Sequence, residues 1–132
     1  MIDGLPAQQR DLVQAHLQAF ASEVGGVRSA VVASVDGFAI AVANGAPGSG
    51  ERLAAMTSSM LALAAAVGRE LALGELESLM AEASAGKVLM LAIPAPVPLL
   101  LMAACERRIL TGNVLWAARA CSRRIADDLR GT

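Results

Sequence analysis

The chain has 132 residues, 55% of them hydrophobic, 2% aromatic and 17% charged, with a formal net charge of −1. That length suits one domain, taken here as residues 1–132 with a core over 6–129, whose interior must be built from Leu, Ala, Val and Met. Scattered basic residues and a lack of aromatic stacking platforms exclude a nucleic-acid footprint. An early acid and the absence of an apolar run at the N-terminus give no secretory signal, so a cytoplasmic location is expected.

Residues 5–24 read as an amphipathic helix. Pro6 suits its first turn, Val13, Leu17, Phe20 and Val24 form one stripe, and Gly25-Gly26 suit a left-handed cap. His16, the single histidine, falls beside the stripe with no Ser, Cys or acid partner assignable to it, and reads as a helix-edge residue. From Val27 the period changes to two. VRSAVVAS is a strand, Asp36-Gly37 a hairpin turn, and residues 38–43 the return strand. Phe38, Ile40 and Val42 are expected on a core face, with Ala39, Ala41 and Ala43 on the other face under a closely approaching helix. The run NGAPGSG at 44–50 precedes a helix, as a phosphate loop would, but Glu51 and Arg52 stand where a Lys followed by Ser or Thr is required, so it reads as a connection.

Residues 53–73 form the segment around which the chain must be arranged. Leu53, Met56, Met60, Leu63 and Val67 share one helical face, yet Ala54, Ala55, Ser58, Ser59, Ala62, Ala65 and Ala66 fill most of the rest, and no charge occurs between Arg52 and Arg69. A helix without a charged side is normally buried, and a small domain has little interior in which to surround one. This helix therefore needs two covers: its own domain and something else, of which a second copy of itself is the economical choice.

Gly74 breaks the pattern. Residues 76–83 read as an edge strand whose Glu75, Glu77 and Glu82 guard it, while Leu76, Leu79 and Met80 give it an apolar side that a second chain would cover. The uncharged run 88–105 approaches membrane-crossing length, but Pro94, Pro96 and Pro98 would break a spanning helix at its centre. Strands over 87–93 and 99–105, central and covered on both faces, are expected instead. Asn113 is the expected N-cap of a last helix over 114–129, with Val114, Ala118, Cys121, Ile125 and Leu129 inward and Trp116 as a lid on the core. Cys105 and Cys121 have no metal spacing and read as buried thiols in a reducing compartment. The expected fold is α+β, an α/β/α sandwich: a five-stranded antiparallel sheet in the order helix-strand-strand-helix-strand-strand-strand-helix, with the first and last helices on one face.

That order, the VVASVDGFAIA hairpin at 31–41, the small-residue middle helix and the TGNVLWAARACSRRIADDL ending at 111–129 together resemble the Roadblock (dynein light chain Roadblock) family, within it the bacterial branch associated with Ras-like GTPases. Longin domains are similar in architecture. The resemblance implies a homodimer in which the middle helix meets its twin and the third strand pairs with its twin. That places Leu53, Ala55, Met56, Ser59, Met60, Leu63, Ala66, Val67, Leu76, Leu79 and Met80 at the dimer interface. It also implies a platform for a Ras-like small GTPase, whose nucleotide state or hydrolysis would be tuned without a catalytic residue from this chain. Arg52, Arg69, Arg107, Arg108 and Arg119 are the arginines that a finger mechanism would draw on, and solvated or structural roles suit each better. The alternative is a small-ligand sensor of similar fold with its pocket between sheet and helix. Against an enzyme, the apolar strands offer no convergent titratable groups. No metal, cofactor, nucleic acid or inserted membrane is expected.

Overall fold

A computed structural model describes residues 5–131. The elements follow in the expected order: α1 (Ala7–Val24), β1 (Val27–Ser34), β2 (Ala39–Asn44), α2 (Ser49–Glu70), β3 (Leu79–Ala83), β4 (Gly86–Ile93), β5 (Leu99–Glu106) and α3 (Thr111–Arg130). The strands form one sheet in the order β2-β1-β5-β4-β3, every neighbouring pair antiparallel. The most continuously apolar strand, β5, lies at the centre, as a strand covered on both faces must.

Two clusters of buried side chains separate the layers. On one face Ala30, Val32, Leu99, Leu101 and Ala103 meet Val13, Leu17 and Phe20 of α1 and Val114, Cys121 and Ile125 of α3. On the other, Val31, Ala33, Leu100 and Met102 meet Ala54 and Leu61 of α2. The period-two alternation of β1 and β5 divides their side chains between the two clusters. Residues 88–105, which lacked charge, become β4, the proline turn and β5. Among the described residues no helix is long and apolar enough to cross a membrane.

Several local expectations are corrected. Pro6 is the N-cap of α1 rather than part of its first turn. Gly25, at φ 62°, ends that helix as expected. In β2 the alternation breaks, because a register shift opposite Val32 and Ala33 inserts a bulge. Ile40 therefore joins Ala41 and Ala43 on the α1 side, Val42 and Ala39 sit on the α2 side, and Phe38 is exposed. Helix α2 starts a turn earlier than expected and ends at Glu70; β3 is shorter than 76–83, because Ala72 and Gly74 take positive φ and hold the connection out of the sheet. Asn113 does not cap α3: its backbone N–H, with that of Val114, already donates to Leu110 O, so the helix is under way before it. Trp116 is no lid. It lies two residues, or about 200° of helical turn, from Val114, which directs it away from the core, and it is 71% exposed.

Candidate interaction surface

Helix α2 buries only Gly50, Ala54, Thr57 and Leu61. These are mostly small, and they allow the helix to approach the sheet closely. A Cβ on Gly50 would lie 2.5 Å from Val42 Cγ2, and one on Gly37, in the hairpin turn after Asp36, would lie 3.4 Å from Ala55 Cα. The hydroxyls are satisfied locally: Thr57 Oγ1 donates to Leu53 O at 2.7 Å, and Ser58 Oγ donates to Val35 O. A helix seated on its small residues must turn its large ones outward. Met56 is 54% exposed, Leu63 68% and Val67 57%; Met60 is exposed too, and Leu53 is half-buried at the margin. Ala55, Ser59 and Ala66 share this exposure. The predicted stripe is thus real, and in the single chain it faces solvent.

The surface continues sideways. Helix α2 lies on β1, flanked by β2 and β5, and touches β4 only at its margin. Beside it runs an open trough of about 510 Å³ whose walls include Leu61, Ala62, Ala65, Leu76, Ala92 and Leu100. Among the described residues Arg69 and Glu75 are its only ionisable groups. Beyond it β3 is an edge strand, with Leu76, Leu79 and Met80 half-buried. The opposite edge is blocked at its middle. Gln14 of α1 donates from Nε2 to Val42 O at 2.9 Å and accepts from Val42 N at Oε1 at 3.2 Å, occupying the outer backbone groups of Val42 in the middle of β2.

Among the described residues the titratable groups do not gather at one site. His16, read as lacking a partner, pairs with Asp128 of α3 at 2.6 Å; the 112 residues between them hid the pair from local pattern. Of the arginines, Arg107 donates to Ser84 O at 3.0 Å, Arg108 pairs with Glu106 at 2.7 Å, and Arg119 lies 3.7 Å from Glu77. Arg52 and Arg69 are exposed on α2. Both cysteines are free and buried. Burial pushes the Cys105 thiol up against the opposing pull of Lys87, and pushes Cys121 up to about 11, with Arg124 opposing and Glu23 assisting. Among the described residues no group of His, Cys, Asp or Glu side chains could hold a metal ion.

A five-stranded antiparallel sheet in this strand order, with two helices behind it and one in front, defines an α/β/α class in which the lone helix presents a surface. The Roadblock/LC7 domain family model matches residues 13–96, and the chain belongs to that family. No curated protein matches the sequence. Among solved structures, Myxococcus xanthus MglB superposes with a TM-score of 0.84 at 12% identity, covering 96% of this chain and 94% of that one. A Roadblock/LC7 domain from Streptomyces avermitilis gives 0.81 at 17% identity, covering 89% and 97%. An MglB solved in a tetrameric arrangement gives 0.81 at 17% identity, covering 95% of each. At these identities the likeness is one of fold.

Proposed function

We propose that this chain is a non-catalytic regulatory scaffold of the cytoplasm that forms a homodimer and binds a Ras-like small GTPase, tuning its nucleotide state or hydrolysis. One observation carries the reading: α2 presents Met56, Met60, Leu63 and Val67 to solvent, next to an open trough and the free edge of β3. A twin helix laid in the trough would cover Leu53, Ala55, Met56, Ser59, Met60, Leu63, Ala66, Val67, Leu76 and Leu79, while Met80, which packs on the α1–α3 face of the sheet, would be reached only by β3 pairing with its twin. The tetrameric arrangement of the MglB relative supports self-association, and the family resemblance supports the GTPase. The trough's scarcity of polar anchors disfavours the small-ligand sensor.

Burying each of Met56, Met60 and Leu63 contributes on the order of 1.5–3 kcal/mol, so Met60→Glu should dissociate or aggregate the dimer. Light scattering at micromolar concentration decides the first point: a mass of 13.5 kDa, that of one chain, overturns the dimer. Purification of the tagged protein from its native cells, with bound chains identified by mass spectrometry, decides the second. A Ras-like GTPase retained by the wild type and lost with Met60→Glu supports the platform; its absence from the wild type contradicts it.

A further inference from the structure

Strand β3 leaves one side of its backbone unused, and the turn that follows it decides which residues those groups belong to. Ala83 and Gly86 face each other across the two-residue turn Ser84-Ala85, so they are a mutually hydrogen-bonded pair. Bonded and non-bonded pairs alternate along an antiparallel ladder, which makes Ala81 with Val88 and Leu79 with Met90 bonded pairs, and Met80 with Leu89 and Glu82 with Lys87 non-bonded ones. The N–H and C=O groups of Leu79, Ala81 and Ala83 are therefore spent on β4. Those of Met80 and Glu82 point off the edge, where no other part of the chain bonds to them among the described residues.

A second copy related by a two-fold axis runs antiparallel to β3 and offers the same outward groups, and the possible registers differ in which residue faces itself. With Met80 opposite its twin, Glu82 would need Ser78, which lies outside the strand. With Glu82 opposite its twin, like charges stand face to face, which is destabilising, and Met80 would need Ser84 in the turn. With Ala81 opposite its twin, Met80 of each chain meets Glu82 of the other, so every outward group of both strands is bonded and the carboxylates are held apart. We infer that β3 pairs with its twin in this last register, centred on Ala81; the inference rests on the homodimer proposed above. The side chains agree with it. Leu79 lies on the α2 face of the sheet, and by alternation so do Ala81 and Ala83. The seam on that face then sets Ala81 against Ala81 and Leu79 against Ala83, small residues at the centre and large against small beside it, which leaves room for the two α2 helices above.

Cysteine cross-linking reads the register directly. Facing residues of a non-bonded pair have Cα atoms about 4.5 Å apart, within the roughly 4.4–6.8 Å that a disulfide spans, whereas any other register moves residue 81 from its twin by at least two residues, about 7 Å along the strand. Ala81→Cys, at an exposed position, should therefore shift from single chain to covalent dimer on mild oxidation. Met80→Cys should remain single chains, as should the wild type, whose Cys105 and Cys121 are buried. Linkage through Met80→Cys in place of Ala81→Cys, equal linkage through both, or a mixed disulfide between Ala81→Cys and Ala83→Cys chains overturns the register. Light scattering of the same variants in reductant separates the two failures: a dimer that does not link through residue 81 refutes the register alone, and the mass of a single chain refutes the homodimer with it.

Discussion

Helices α2 and α3 are of similar length, 22 and 20 residues, and lie on opposite faces of the same sheet, yet they use their apolar residues in opposite ways. Helix α3 turns Val114, Cys121, Ile125 and Leu129 inward and its arginines outward. Helix α2 turns Ala54 and Thr57 inward and Met56, Leu63 and Val67 outward. Burial of large side chains supplies most of the stability that a helix adds to a fold. The α1–α3 layer thus holds the chain together, and the α2 layer spends its hydrophobicity on a surface.

Breaking that contrast requires cutting the same chemistry from both layers. Ile125→Ala, at a fully buried position, should cost about 2–5 kcal/mol, while Leu63→Ala should stay within roughly 0.5 kcal/mol at concentrations too low for self-association. Urea unfolding of both variants decides, and equal losses would erase the distinction. A pH titration probes the α1–α3 layer further. Below pH 9 both states keep the Cys121 proton; from there to about 11 the unfolded chain releases it while the folded chain retains it. Stability should therefore fall as pH rises through this window, on the order of 2 kcal/mol in total. The difference between wild type and Cys121→Ala isolates the effect, and identical alkaline profiles would contradict it.

Removing both side-chain hydrogen bonds at the β2 edge with Gln14→Ala should cost about 1–2 kcal/mol, read as a lowered urea midpoint. His16→Ala should cost less than Gln14→Ala, below about 1 kcal/mol, because its hydrogen bond with Asp128 is partly solvated. A larger loss, seen in thermal unfolding, would make that pair a principal fastening of α1 to α3.

Where hydrophobicity is concentrated on one side, the sequence was readable. The stripe of α3 and the two-sided strands β1 and β5 each had a single placement that hides their apolar atoms. Helix α2 had two, and the choice between them rests on how closely the helix approaches Val42 and the hairpin turn, which Gly50 and Gly37 permit and local pattern does not reveal. In β2 the bulge opposite Val32 defeated a regular alternation of large and small residues. Trp116 was misplaced because rarity was weighed above helical angle: counting turns from Val114 would have put it outside. Gln14 and His16 find their partners 28 and 112 residues away, beyond the reach of periodicity.

The amide of Gln14 also bears on how far any strand-by-strand growth can proceed. A sheet with two bare margins is a monomer of a fibre, whereas one margin here is plugged from within the same chain. Were two such molecules to join at their β3 margins, each outer margin of the joined sheet would be one where Gln14 already holds Val42, and a further strand could add there only by displacing that amide.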